Sequence, residues 1–219
     1  MELTQLVDSY INARKRTIPP RRVWINIPLA DFVRAFVRLA QFYDFKITGT
    51  DRTIELNAQM QKLLVSLHKY LTQVKDNRGL FLVGNYGTGK TMTAFALAEL
   101  LKLLSKGFTY KLITAEQVIE LYLRANEQRD DYNLNQIRYA DLLIVDDLGN
   151  ESTQVINLWG NKIRPIENLL AKRYQQGRWT WITSNYGLNE LSEIYSGYLI
   201  DRFKQMFYFF PFNWQSYRK

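Results

Sequence analysis

The stretch Gly79–Thr91, GLFLVGNYGTGKT, decides the fold of this chain. Within it, Gly84–Thr91 meets the spacing G-x-x-x-x-G-K-[ST] directly after a short apolar run. Glycines in such a turn let successive backbone N–H groups point inward and leave room for a phosphate. A helix that begins near Lys90 adds unpaired N–H groups and a partial positive charge. The stretch therefore predicts a phosphate-binding loop (P-loop) between a strand and a helix.

Each residue type in this loop has a role in binding a nucleotide. Lys90 can reach the β- and γ-phosphates of ATP, and the Thr91 hydroxyl can bind Mg²⁺. The cofactors predicted here are therefore ATP and Mg²⁺. The candidate nucleotide-binding residues are Gly84, Asn85, Tyr86, Gly87, Thr88, Gly89, Lys90 and Thr91.

A second apolar run, ADLLIVDDLG, ends in two acidic residues. A strand Leu142–Val145 would place Asp146 at the carboxyl edge of a parallel sheet, where it can hold the metal, acting through water. Asp147 follows at the position where P-loop ATPases usually carry the glutamate that activates water. Aspartate is one methylene shorter than glutamate, so its reach is shorter. The run WTWITSN ends similarly, and Asn185 is our candidate to hold the attacking water or the γ-phosphate.

The order of the apolar runs predicts an α/β fold. Short strands are expected at Leu80–Val83, Tyr110–Ile113, Leu142–Val145, Thr180–Thr183 and Phe207–Phe210, with helices between them. Strands that are apolar on both faces and alternate with helices indicate a parallel sheet covered on both sides. We therefore predict a five-stranded P-loop domain over residues 55–219, preceded by a small, mainly helical, basic region 1–54 that binds a partner. Thr114 and Gln117 have the spacing of a capping box, and Asp31 is a candidate N-cap.

Composition limits the other classes of function. The net charge is +8, and residues 1–50 carry eight basic against four acidic residues, which favours polyanionic partners. The chain has no cysteine and one histidine, His68, so cysteine- and histidine-based metal centres are excluded. No apolar run reaches the ~20 residues of a membrane helix, and no signal-peptide pattern is present. We expect a cytoplasmic protein without a membrane partner.

Several segments together resemble one family. GNYGTGKT, LLIVDDLG, ITSN, LIDRF and the ending FNWQSYR are similar to the AAA+ ATPases of the DnaC-type helicase-loader group, with the IstB-type transposition helpers as close cousins. The resemblance covers about residues 55–219. It implies an AAA+ domain without the C-terminal helical lid of most AAA+ proteins. It also implies an extra helix between the second and third strands, within Ala115–Asn135.

The resemblance also implies site residues and partners. Arg202 in IDRF matches the arginine finger, which reaches the ATP of a neighbouring subunit, and Arg218 matches the arginine that senses the γ-phosphate. Asn185 matches the sensor on the fourth strand. The implied partners are a DnaB-like replicative DNA helicase, single-stranded DNA and further copies of the chain in a helical or ring-like oligomer.

Three alternatives to a helicase-loading ATPase stay open at this point. The first is an IstB-like ATPase that assists a DNA transposase, which would share the same ATP site. The second is a small-molecule kinase built on a P-loop, which would work as a monomer. The third is a nucleotide switch that does not hydrolyse ATP, because aspartate stands at position 147.

Overall fold

A computed structural model describes Gln5 and residues 23–51, 53–54, 56–152 and 155–217. Residues 1–22 of the predicted N-terminal region, except Gln5, lie outside the described residues, as does Arg218. The elements, in chain order, are α1 (Leu29–Thr48), α2 (Ala58–Thr72), β1 (Gly79–Gly84), α3 (Lys90–Leu104), β2 (Tyr110–Thr114), α4 (Ala115–Gln128), α5 (Tyr132–Tyr139), β3 (Leu142–Leu148), β4 (Ile156–Leu158), β5 (Asn161–Ile163), α6 (Pro165–Gln175), β6 (Trp179–Ser184), α7 (Leu188–Ile194), α8 (Gly197–Met206) and β7 (Phe207–Phe212).

Five of the strands form one parallel sheet in the order β2-β3-β6-β1-β7. The predicted α/β fold with a five-stranded parallel sheet is confirmed. Its carboxyl edge collects the ends of β1, β3 and β6, so the P-loop and the residues that follow β3 and β6 meet there. In an open parallel sheet, ligands bind outside this edge.

Alternation along the strands divides the core into two layers. Leu80 and Leu82 face α1, α2 and α3, whereas Phe81 faces the layer formed by α4 to α8. Trp179 and Trp181 lie in the first layer and are fully buried, in contact at 5.2 Å between ring centroids. Both faces of the sheet are therefore covered, which explains why its strands are nearly continuously apolar.

Helix α1 packs on the core of the sheet domain itself. Phe32, Phe36 and Ala40 are fully buried in the same cluster as the first layer of the sheet. The division of the chain at residue 54 stays a prediction. The N-cap prediction at Asp31 was wrong: α1 starts after Pro28, because proline has its φ already near the helical value, and Asp31 pairs with Arg34 inside the first turn.

Two elements differ from the sequence prediction. The region between β2 and β3 holds two helices, and the second, α5, begins at Tyr132 and extends beyond Asn135. A two-stranded antiparallel hairpin, β4–β5, lies between β3 and α6, and it has no counterpart in the prediction. The capping box at Thr114 and Gln117 is present at the start of α4, as predicted.

Among the described helices, none combines the length and the apolar character that a membrane crossing requires.

Candidate nucleotide-binding site

The P-loop turn needs glycine at two positions for different reasons. Gly84 has φ 152°, and a Cβ there would lie 2.4 Å from the carbonyl oxygen of Phe212 on the neighbouring strand β7. Gly89 has φ 90° and is the N-cap of α3. Any side chain at Gly84 would push β7 away, and an L-residue at Gly89 would be strained. The loop is thus fixed between β1 and the start of α3.

Lys90 opens α3 and lies 5% exposed beneath the loop. Its Nζ donates hydrogen bonds of 2.8 Å to the carbonyls of Gly84 and Asn85 and to Asn185 Oδ1 at the end of β6. The ammonium group is therefore held at the point where β1 and β6 end. Phosphate oxygens that enter this loop would replace these neutral acceptors with charged ones.

The Thr91 hydroxyl meets the carboxylate of Asp146. Thr91 Oγ1 donates to Asp146 Oδ1 at 2.8 Å, and Thr183 Oγ1 donates to the same oxygen at 2.5 Å. Asp146 is 6% exposed, and burial raises the pKa of its carboxyl despite the hydrogen bonds from Thr183 and Thr91 and the nearby Lys90. Asp147 adds to this rise as a second negative charge. A cation at this point would stabilise the ionised carboxylate.

Asp147 occupies an unusual backbone position. Its φ is 56°, in the left-handed region, and the register between β3 and β6 shifts between Val145 and Leu148. The Asp147 N–H donates a 3.0 Å hydrogen bond to Thr183 Oγ1, which holds this turn. The bulge points successive side chains away from the regular alternation, a device common beside active sites. Asp147 is partly exposed at the carboxyl edge.

Asn185 supplies a donor that nothing in the described part of the chain uses. Its Oδ1 accepts from Lys90, while its Nδ2 is buried without a hydrogen-bond partner among the described residues. A buried amide N–H without an acceptor costs free energy unless a ligand or water completes it. Asn185 is therefore suited to contact an oxygen of a bound phosphate or of a nucleophilic water.

The outer part of the loop faces solvent. Asn85 and Tyr86 are exposed, and the Tyr86 hydroxyl donates to Asn150 Oδ1 at 3.3 Å. Thr88 is fully buried, and its hydroxyl bonds the Asn85 carbonyl at 2.8 Å. Among the eight predicted loop residues, Thr88 and Lys90 are thus buried and held by the protein, whereas Asn85 and Tyr86 form the exposed rim.

Sequence reasoning missed the residues that support the loop from beneath. The indole Nε1 of Trp214 donates to the Thr88 carbonyl at 3.1 Å, and the Tyr217 N–H donates to the Gly87 carbonyl at 2.8 Å. The Tyr217 hydroxyl in turn accepts from Asn57 Nδ2 at 2.8 Å. The segment 212–217 thus ties the P-loop to β7 and to the start of α2. No local pattern announces these contacts, although the resemblance already singled out FNWQSYR.

Arg202 lies apart from this cluster. It is carried by α8, and its guanidinium stacks 3.5 Å from the ring centroid of Tyr198 and 5.3 Å from that of Tyr174. Its Nη1 is buried without a hydrogen-bond partner in the described ranges. None of its described contacts is with the P-loop or β3. Arg218, the second predicted arginine, lies outside the described residues.

The cluster fits a nucleoside triphosphate with Mg²⁺. Hydroxyl and carboxylate oxygens, the ligands that hard divalent cations prefer, lie next to an ammonium group and a buried amide donor without a partner. Thr91 and Asp146 would hold the cation, and Lys90 and Asn185 would contact phosphate oxygens. The structure brings together Gly84–Thr91, Asp146 and Asn185, with Asp147 at the adjacent bulge.

Comparisons with known proteins find relatives in sequence and in structure. The replicative helicase loader DnaI of Bacillus subtilis (strain 168) is 29% identical over 124 residues, which are 56% of this chain and 38% of DnaI. The chain thus spans well under half the length of this relative. A crystal structure of the DnaC helicase loader matches with a TM-score of 0.59 at 20% identity, over 72% of this chain and 92% of that one.

A second similar structure is the replication initiator DnaA bound to AMPPCP and single-stranded DNA. Its TM-score is 0.54 at 18% identity, over 74% of this chain and 48% of DnaA. These structural likenesses establish the P-loop AAA+ fold. A family model described as IstB-like ATP binding protein matches residues 5–219, almost the whole sequence. The chain belongs to the family of IstB-like ATP-binding proteins.

Proposed function

We propose that this chain is a Mg²⁺-dependent ATPase that helps to load a replicative DNA helicase onto single-stranded DNA. The observation that carries the ATPase is the convergence of Lys90, Thr91, Asp146 and Asn185 at one edge of the sheet. The likeness to DnaI and DnaC supports the loading role. The partner helicase, DNA and oligomer are parts of the proposal.

The residues divide the chemistry among them. Bound Mg²⁺ supplies positive charge that neutralises the phosphates. Lys90 would exchange its carbonyl acceptors for phosphate oxygens, while Thr91 and Asp146 would hold the metal. Asp147 orients the water that attacks the γ-phosphate in line, and Asn185 Nδ2 donates to that water or to the phosphate.

Arg202 completes the site of a neighbouring protomer. Its guanidinium has one buried nitrogen without a partner and makes no described contact with its own P-loop. A cation placed on the transferring phosphoryl group contributes about 10³–10⁵ in rate in P-loop enzymes. Action in trans makes turnover depend on assembly, in a helical or ring-like oligomer, and distinguishes this ATPase from a monomeric kinase.

Loss of ATP binding or turnover in Lys90→Ala tests the ATP site. The matched control is Lys102→Ala on the same helix, because Lys102 is exposed and pairs only at 3.8 Å with Glu99. We expect the first variant to lose ATP-dependent activity and the second to keep it. Wild-type hydrolysis by pure Lys90→Ala protein would contradict the site.

A mixing experiment tests the shared site. Arg202→Ala and Lys90→Ala proteins are each inactive alone, but in a mixed oligomer the Arg202 of one protomer can act on the intact P-loop of the other. We expect activity to reappear on mixing, with Lys204→Ala on the same helix active by itself. If mixing restores nothing and dilution leaves wild-type activity per protomer unchanged, Arg202 does not act in trans.

The family match, together with the resemblance to IstB-type transposition helpers, supports one second candidate, an ATPase that assists a DNA transposase. It uses the same ATP site and the same proposed partner-binding region 1–54, whose sequence is basic. Capture from native extract distinguishes the two, because a helicase supports the loading role and a transposase replaces it.

A further inference from the structure

The turn of the hairpin β4–β5 carries an unexpected residue. Trp159 and Gly160 occupy its two positions, with φ angles of 49° and 88°. Positive φ at both positions marks a type I′ turn, which favours asparagine, aspartate and glycine. A bulky aromatic residue in this region of φ is an outlier. Local folding therefore gives no reason for a tryptophan at position 159.

Trp159 is presented to solvent from an anchored base. Its side chain is 48% exposed, while its backbone N–H donates a 2.9 Å hydrogen bond to Asn126 Oδ1 of α4. Ile156 and Leu158 on the inner face of the hairpin are buried. The turn is thus fixed on the domain. A ligand that binds to the ring therefore costs little conformational entropy of the protein.

The outer face of the hairpin is polar and cationic. Asn157 pairs with Lys162 across the two strands, so their side chains lie next to each other on one face. Both are exposed, and Trp159 follows at the tip. The ammonium group of Lys162 can bind a phosphate, the amide of Asn157 can bind a base edge, and the indole of Trp159 can stack on a base face.

The sequence around the hairpin carries no acidic residue that would repel an anion. The sequence contains none between Glu151 and Glu167. Glu151 is buried and accepts a hydrogen bond from the Tyr195 hydroxyl, and Glu167 accepts two from Ser196 at 2.7 and 3.0 Å. Both flanking carboxylates are therefore engaged within the domain.

We propose that the outer face of the β4–β5 hairpin binds single-stranded nucleic acid, with Trp159 stacked on an unpaired base and Lys162 on the backbone. Stacking accepts any base, because every base has a π-face, and cations beside the ring follow the phosphates. A protein partner fits less well, because the exposed cross-strand pair beside the tip, Asn157 and Lys162, carries an amide and an ammonium group. The inference rests on the proposed function, which requires single-stranded DNA, and adds the residues that contact it.

The variant Trp159→Asn removes the stacking ring without disturbing the fold, because asparagine is favoured in this type of turn. Binding of labelled oligothymidine to the full chain, with a non-hydrolysable ATP analogue, is measured by fluorescence anisotropy. We expect Trp159→Asn to weaken binding by about 5- to 150-fold and Trp159→Phe to retain most of it. The Tm of Trp159→Asn should equal or exceed that of wild type. Lys162→Gln should reduce the slope of log affinity against log salt by about one.

Four results overturn the inference. Equal oligothymidine affinity of Trp159→Asn and wild type removes the stacking site and leaves the proposed function standing. An equal loss on duplex DNA of the same length contradicts stacking on unpaired bases. A changed oligomeric state at unchanged affinity assigns Trp159 to a contact between protomers. If wild-type protein binds no oligothymidine, the inference and the DNA part of the proposed function both fail.

Discussion

Replacing Thr183 with valine tests how the carboxylate of Asp146, the proposed metal ligand, is held in place. The Thr183 hydroxyl is fully buried, donates to Asp146 at 2.5 Å and accepts from the Asp147 N–H at 3.0 Å. A hydrogen bond to a charged group contributes about 1.5–3 kcal/mol and a neutral one about 0.5–1.5 kcal/mol. We therefore expect Thr183→Val to lower the free energy of unfolding by about 2–4 kcal/mol, or Tm by about 4–16 °C.

The assay is urea unfolding followed by the fluorescence of the buried tryptophans, together with Mg²⁺-dependent ATP hydrolysis. Thr183→Ser is the matched control, because it keeps the hydroxyl and loses only a methyl group. The deficit of Thr183→Val should shrink as the pH falls, since a protonated Asp146 depends less on the lost donor. If the free energy of unfolding changes by less than about 0.5 kcal/mol, or if Ser and Val are equally destabilising, the two hydrogen bonds do not support the site.

Three further substitutions test other parts of the structure. Burial raises the pKa of Asp146, so the folded protein holds this proton more tightly than the unfolded chain does. Stability therefore falls as the pH rises from the ordinary aspartate pKa through the raised one. Asp146→Asn should unfold at a higher urea concentration than wild type at pH 7, and it should lose Mg²⁺-dependent turnover. Arg173 is fully buried, burial lowers its pKa to about 9, and it donates to the carbonyls of Ile137 and Ala140 at the end of α5; Arg173→Met should cost about 3 kcal/mol or more in urea unfolding, because several buried carbonyls lose their donor. Trp214→Phe should weaken binding of a fluorescent ATP analogue about fivefold through the single lost hydrogen bond, whereas Trp24→Phe, remote from the loop, should leave it unchanged.

The main sheet could be predicted from the sequence because its signals are local. Apolar runs separated by helical patterns define parallel strands, and the end of each strand then locates Asp146 and Asn185 relative to the P-loop. Thr114 and Gln117 formed the predicted capping box because both partners lie within one turn. The convergence at the carboxyl edge follows from topology alone.

The remaining features depend on contacts that are distant in sequence. The strands β4 and β5 have three residues each, too few to show alternation, and their turn is Trp-Gly rather than the favoured Asn-Gly. The left-handed turn at Asp147 depends on the hydroxyl of Thr183, one strand away. The contacts of Trp214 and Tyr217 with the P-loop join main-chain carbonyls to residues more than a hundred positions later.

The tie between the P-loop and the segment 212–217 has a consequence for synthesis in the cell. The ribosome makes Gly84–Thr91 well before β7 and before Trp214 and Tyr217, the two aromatic residues that steady the loop. A nascent chain released before Phe207 contains the complete Gly84–Thr91 motif and yet lacks both β7 and the aromatic support. The loop can therefore reach its final shape only after residue 217 has been made, long after the Gly84–Thr91 motif itself.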